Sequence, residues 1–151
     1  MAKKIILLGS TGSIGESTLN AISKKKTKFK IKLLTTNRNV KKIYKQAIKY
    51  NVKKIVINDK NLFYKYKSIF DKKKIKVFFN LKDFLIRNKI KVDFVVSAIS
   101  GLDGLEPTIK IIKHTKNLCM ANKESIICGW MLIDKELKKN ETNFIPIDSE
   151  H

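Results

Sequence analysis

Seven short apolar runs recur along the chain, at residues 5–8, 31–35, 55–57, 77–79, 94–98, 118–121 and 144–147. Each has the length of a strand. Between them lie stretches in which apolar residues return every three or four positions, the spacing of a helix with one buried face. Residues 13–23 carry Ile14, Leu19 and Ile22, and residues 40–50 carry Val40, Ile43, Ala47 and Ile48. Residues 62–70, 81–88, 105–114 and 125–139 read the same way. Strand and helix therefore alternate, which predicts right-handed crossovers and a mostly parallel, doubly wound α/β sheet of about seven strands with helices on both faces. Residues 5–8 form an unbroken apolar run, as a central parallel strand covered on both faces requires. Pro107 falls in the first turn of its helix, where the missing donor costs little. Pro146 marks an edge strand or a strand end. No repeat or low-complexity linker divides the 151 residues, which suit one domain with a proper core.

Composition changes this picture in one respect. Thirty-three Lys and Arg face 13 Asp and Glu, a formal charge of +20. Such a charge attracts polyanions without any specific site. Base-edge readout favours Arg forks, and only Arg38 and Arg87 are Arg. Specific nucleic-acid recognition is therefore not expected. Lys24, Lys25 and Lys26, like Lys72, Lys73 and Lys74, read as solvated loop charges. Cys119 and Cys128, nine residues apart, do not have a metal-ligand spacing and read as two buried thiols. No apolar run approaches the roughly 18 residues of a membrane span, and a strand pattern beginning at Lys3 leaves no room for a signal peptide. The expected location is cytoplasmic, without a membrane anchor.

Candidate chemistry starts where the first strand meets a helix. Gly9, Gly12 and Gly15 are spaced three apart there. This departs by one residue from the common dinucleotide fingerprint, but the physical requirements are the same. Gly12 lets the backbone approach an anion, Gly15 lets the helix pack closely on the strand, and the first helical turn offers N–H groups to phosphates. Thr11 and Ser13 add hydroxyls. The sheet is accordingly expected to be Rossmann-like. The second strand ends at Thr36 and is followed by Asn37, Arg38 and Asn39. An acidic residue for a ribose diol is absent, and Arg38 is positioned to meet a 2′-phosphate, so the cofactor expected is NADP(H).

Two further segments fall at carboxyl ends of strands, where ligands bind in open α/β sheets. Asn122, Lys123 and Glu124 offer an amide, a cation and an acceptor; locally, Glu124 suits the positive end of the next helix and Ser125 suits its N-cap. The glycine-rich loop of residues 97–104 serves either as a flexible connection or as a close approach for a nicotinamide. Asp148 and Glu150 alternate just past the last apolar run. In an extended strand both carboxylates would face one way and suit a hard divalent cation. His114 reads as a helix C-terminal residue, where a cation is mildly favoured, and His151 is the last residue.

Three motifs in register, Gly9-Ser10-Thr11-Gly12-Ser13-Ile14-Gly15, Ala121-Asn122-Lys123-Glu124-Ser125 and Ile145-Pro146-Ile147-Asp148-Ser149-Glu150-His151, together resemble the 1-deoxy-D-xylulose 5-phosphate reductoisomerase family. The resemblance implies NADPH- and metal-dependent conversion of 1-deoxy-D-xylulose 5-phosphate to 2-C-methyl-D-erythritol 4-phosphate in non-mevalonate isoprenoid biosynthesis. It implies cofactor contacts from Thr11, Gly12, Ser13, Ile14, Asn37, Arg38, Asn39, Asn122 and Glu124. Lys123 and Ser149 would touch the phosphorylated sugar, and Asp148 and Glu150 would hold Mg²⁺ or Mn²⁺, with Co²⁺ a further candidate. Lys123, Ser149 and Glu150 are thus the implied catalytic residues. Asn37 departs from the glycine of many relatives. On this reading residues 1–144 are the NADPH-binding domain and residues 145–151 the start of a truncated metal- and substrate-binding domain. The rest of that domain, with a further carboxylate and most of a homodimer interface, is missing, so the piece is expected not to turn over substrate alone. The alternative is the NADP-binding domain of another small-molecule oxidoreductase.

Overall fold

The computed structural model describes residues 1–25 and 28–147. Its strands are β1 (Lys3–Leu8), β2 (Phe29–Thr36), β3 (Lys54–Ile57), β4 (Lys76–Phe78), β5 (Val92–Ser97), β6 (Thr115–Met120) and β7 (Asn143–Pro146). Its helices are α1 (Ser13–Ser23), α2 (Val40–Lys49), α3 (Lys60–Lys72), α4 (Leu81–Arg87), α5 (Leu105–Ile111) and α6 (Lys123–Asn140). Tight 3₁₀ turns, Leu102–Gly104 and Ile112–His114, flank α5. The strands form one sheet in the order β4-β3-β2-β1-β5-β6-β7, and every neighbouring pair is parallel. This is the expected Rossmann-like, doubly wound arrangement.

The period of two along each strand divides the core into two layers. Ile5 and Leu7 of β1 join Leu19 and Ile22 of α1, Ile43 and Ala47 of α2, and Phe63 and Phe70 of α3. Ile6 and Leu8 point the other way and join Phe84 of α4, Ile111 of α5, and Ile133 and Leu137 of α6. Helices α1 to α3 thus cover one face, and α4, which carries the chain from β4 to β5, covers the other with α5 and α6, as crossovers of one hand demand. Ile6, Leu7 and Leu8 are fully buried. Truncating such a side chain costs about 2–5 kcal/mol, against a total stability of about 5–15 kcal/mol for an ordinary domain.

The chain order reverses between β1 and β5, the switch point beside which such sheets bind ligands. β7 is an edge strand, and Pro146 pairs there with Met120, so a missing donor costs little. β7 extends the sheet through residues 145 and 146, and the Ile147 amide then donates to the Met120 carbonyl at 2.8 Å. Among the described residues, no helix is long and apolar enough to cross a membrane.

Candidate functional site

β1 opens into the glycine loop at the carboxyl edge of the sheet. Gly9 has a φ of 75°, and a methyl group there would come within 2.9 Å of the Ile99 amide nitrogen. A methyl group on Gly15 would lie 2.6 Å from the Ser10 carbonyl and closer still to the Gly9 oxygen. Gly15 is therefore required by the packing of α1 on its own loop. Gly12 is different: a methyl group would meet only the Gly9 oxygen, at 3.9 Å, and otherwise open space. Gly12 is also the N-cap of α1, and no side chain caps that terminus. By contrast α2, α3, α4 and α6 are capped by Asn39, Asp59, Asn80 and Asn122. The exposed N–H end of α1 is thus left to an external acceptor, an anion above all.

The loop is braced from β2 and α2. The Gly9 amide donates to the Thr35 hydroxyl at 2.9 Å, and the Ser10 amide donates to the Thr35 carbonyl at 2.9 Å. Ser10 is fully buried; its hydroxyl donates to Gln46 Oε1 at 2.8 Å, and Gln46 Nε2 donates to the Ser10 carbonyl at 2.9 Å. The Thr11 hydroxyl is paired with that of Thr36 at 2.8 Å, so it acts first as a tie to β2. Ser13 is exposed at the start of α1.

Asn37, Arg38 and Asn39 form the exposed turn after β2. Asn39 Oδ1 accepts from the Lys42 amide at 3.2 Å, which starts α2. The Arg38 guanidinium is largely in solvent and lies 3.7 Å from Asp59, whose other oxygen caps α3 by accepting from the Leu62 amide at 3.0 Å. Arg38 is therefore a loosely held cation at the rim, free to exchange its long contact to a partly buried carboxylate for a stronger anion.

On the other side of the switch point, Asn122 is 8% exposed and is the N-cap of α6. Its Oδ1 accepts from the Ser125 amide at 3.1 Å, while Nδ2 donates to the carbonyls of Ile99 and Gly101, each at 2.5 Å. Ser125 is not the cap expected from its local context. Its buried hydroxyl donates to the Gly101 carbonyl at 3.1 Å, and α6 begins two residues earlier than its periodicity suggests. Lys123 and Glu124 are exposed in the first turn. A cavity of about 230 Å³ is lined by Ile14, Ala98 to Gly101 and Ala121 to Glu124. A second, of about 310 Å³, is lined by Gly9, Thr11, Gly12, Thr36, Asn37, Asn58 and Ala98 to Ser100 among others. Ala98, Ile99 and Ser100 wall both. The expected contacts Thr11, Gly12, Ile14, Asn37, Asn122, Lys123 and Glu124 thus line two adjoining clefts, whereas Arg38 and Asn39 flank the second.

The family model described as 1-deoxy-D-xylulose 5-phosphate reductoisomerase matches residues 5–129. The chain belongs to the 1-deoxy-D-xylulose 5-phosphate reductoisomerase family. It is 50% identical over 151 residues to the reductoisomerase of Pelagibacter ubique, covering 99% of this chain and 39% of that relative. With the enzyme of Wolbachia pipientis from Culex pipiens the identity is 39%, over 99% of this chain and 38% of the relative. The solved reductoisomerase of Zymomonas mobilis in complex with NADPH superposes with a TM-score of 0.89 at 31% identity, over 100% of this chain and 40% of that one. The chain therefore spans about two-fifths of the length of the relatives it matches. Staphylococcus aureus homoserine dehydrogenase shares the fold alone, at a TM-score of 0.61 and 15% identity.

The metal-ligand candidates of the reductoisomerase motif, Asp148 and Glu150, lie outside the described residues, as do Ser149 and His151. Among the described residues, no three His, Cys, Asp or Glu side chains gather into a metal site. Other expectations need correction. Cys119 is buried, and burial pushes its thiol up, but Cys128 is exposed because α6 turns that residue away from the sheet. His114 ends a 3₁₀ turn, half-buried, with Nδ1 3.2 Å from the Ile90 carbonyl. It stands at a helix end as expected, but burial, opposed by the Ile90 hydrogen bond and helped by Lys113, lowers its pKa and disfavours the cationic ring. Ser10, Thr35, Gln46, Asn58 and Asp59 were not singled out by sequence. Gln46 alone left a signal, a polar residue on the apolar face formed by Val40, Ile43 and Ala47.

Proposed function

We propose that this chain is the NADPH-binding part of a 1-deoxy-D-xylulose 5-phosphate reductoisomerase, a cytoplasmic enzyme that converts this sugar phosphate to 2-C-methyl-D-erythritol 4-phosphate. One observation carries the reading: an uncapped helix N-terminus, opened by Gly12, faces adjoining clefts at the switch point of the sheet. The fit to a dinucleotide is physical. The α1 terminus supplies N–H donors and a positive dipole end to a pyrophosphate. The two clefts on either side of residues 98–100 suit the two halves of an extended ligand.

In this reading Thr11, Gly12, Ser13 and Ile14 contact the pyrophosphate. Asn37, Arg38 and Asn39 hold the 2′-phosphate region, with Arg38 trading its long contact to Asp59 for a charge-assisted bond. Asn122 and Glu124 border the nicotinamide end. Lys123, exposed in the first turn of α6, faces the substrate and offers its ammonium to negative charge developing there. NADPH would supply the hydride, Asp148 and Glu150 would hold a divalent cation whose chemistry there is to polarise substrate oxygens, and Ser149 would be a substrate contact. Residues 1–144 act as the cofactor domain, residues 145–151 lead into the metal- and substrate-binding part, and the whole enzyme is a homodimer. This chain alone binds NADPH without turning over substrate.

Arg38→Ala tests the reading. NADPH affinity should fall by about tenfold or more, the scale of one charge-assisted contact, while NADH affinity changes little. Fluorescence titration with both cofactors measures this, and equal losses for the two would remove Arg38 from the 2′-phosphate site.

A further inference from the structure

Asn122 was expected to touch the cofactor, yet its side chain has little left to offer. An Asn amide carries two N–H donors and one carbonyl oxygen. Nδ2 is engaged by the carbonyls of Ile99 and Gly101, and Oδ1 is engaged by the Ser125 amide. The residue is 8% exposed. What it holds is more informative than what it could touch. Ala98, Ile99 and Ser100 form the wall shared by both clefts. On one side this wall rests on the glycine loop, close enough that a methyl group on Gly9 would meet the Ile99 amide nitrogen at 2.9 Å. On the other side it hangs from Asn122, seconded by the Ser125 hydroxyl on Gly101.

We infer that Asn122 is a positioning residue: its amide clasps the loop of residues 98–104 to the start of α6 and thereby sets the width of both halves of the cofactor cleft. The inference rests on the NADPH reading above and deepens it. Three features make the clasp suited to this task. Gly101 has a φ of 70°, the left-handed region that favours glycine, and its carbonyl accepts from both Asn122, the cap of α6, and Ser125 within that helix. Gly104 closes the loop through its own amide, which donates to the Gly101 carbonyl at 3.3 Å. A methyl group on Gly104 would meet Asn122 Nδ2 and the Ile99 carbonyl, each at 2.9 Å, so only glycine leaves room for the clasp.

The two jobs of Asn122 can be separated. Serine is as good an N-cap as asparagine, but its hydroxyl is too short to reach both carbonyls. Asn122→Ser should keep the slow exchange of the Ser125 amide, while the lost clasp lowers the melting temperature by a few degrees. It should accelerate amide exchange across residues 99–104 in the cofactor-free protein and weaken NADPH by about tenfold, the scale of lost buried hydrogen bonds. Gly104→Ala attacks the same clasp from the loop side without altering Asn122 and should reproduce both effects. A capping role alone would move neither the loop exchange nor the affinity. Wild-type NADPH affinity in both variants, or unchanged exchange at residues 99–104, overturns the inference. If the wild-type chain itself binds no NADPH, the proposed function fails with it; if only the variants match wild type, the function stands and the clasp does not.

Discussion

Single residues carry distinct burdens in the glycine loop. Gly12 is open to the ligand side, whereas Gly15 is closed by its own backbone. Gly15→Ala should therefore cost both stability and affinity, because the loop carbonyls of Gly9 and Ser10 must move and cannot do so as a flexible side chain would. A drop of about 2–4 °C in melting temperature per kcal/mol is the scale for a domain of this size. An unchanged melting curve would mean that α1 can shift away at no cost. His114 offers a pH test. Its pKa is lowered in the folded protein, first by burial, so the unfolded chain takes up the proton more readily. Stability contributed by the neutral ring is intact above the ordinary histidine value of about 6.5 and declines as pH falls through it. Between about pH 7.5 and 5.5 the wild type should lose more thermal stability than His114→Gln; parallel losses would exclude His114 as the source.

Elements are joined at the site by polar ties in place of apolar packing. Ser10 and Gln46 link the loop to α2, Thr11 and Thr36 link it to β2, and Lys42 and Glu16 join α2 to α1 at 2.7 Å. The first of these is buried and the last exposed, so they differ in worth. An exposed ion pair contributes about 0–1 kcal/mol, while a buried polar group left without a partner costs about 1–3 kcal/mol. Gln46→Ala strips two hydrogen bonds from Ser10 and should destabilise by about 1–3 kcal/mol, whereas Lys42→Ala should be nearly silent. Chemical denaturation of both variants measures the difference, and comparable effects would contradict this ranking. Most elements were legible from periodicity. The α1 stretch matches the expected residues 13–23 at both ends. The start of α6 was misjudged because Ser125 and Asn122 are both good caps, and sequence does not say which one the chain will use. α5 ends at Ile111 because the backbone tightens into a 3₁₀ turn, which apolar spacing of three to four cannot distinguish from a continuing helix.

Across the whole molecule, charge is distributed unevenly. Lys3, Lys4, Lys30, Lys54 and Lys76 lie near the amino ends of their strands, opposite the two clefts at the switch point. Crowding is felt at Lys32, whose pKa is lowered first by burial and then by Lys30, Lys4 and Lys54. Asp93 is the counter-charge there; a hydrogen bond from the Lys4 amide and the nearby Lys116 hold its carboxyl below the usual range. With a formal charge of +20, mutual repulsion should outweigh the exposed ion pairs. Raising NaCl from about 0.05 to about 0.5 M shortens the screening length several-fold and should raise the melting temperature; a decrease would show that the ion pairs dominate.

The sequence by itself determined the α/β alternation, the two-faced central strand, the glycine loop and the family motifs. Each of these follows from local spacing, and local spacing is what side-chain periodicity and backbone freedom constrain. Only the tertiary structure decided that Asn122 and Ser125 grip a loop more than twenty residues away, that Gln46 braces Ser10, that Asp59 waits beside Arg38, and that Cys128 faces outward while His114 is partly enclosed. Those outcomes depend on which strands become neighbours. Hydrogen-bonding capacity is written into a residue, but its partner is chosen by the sheet order that brings β1, β5 and β6 together.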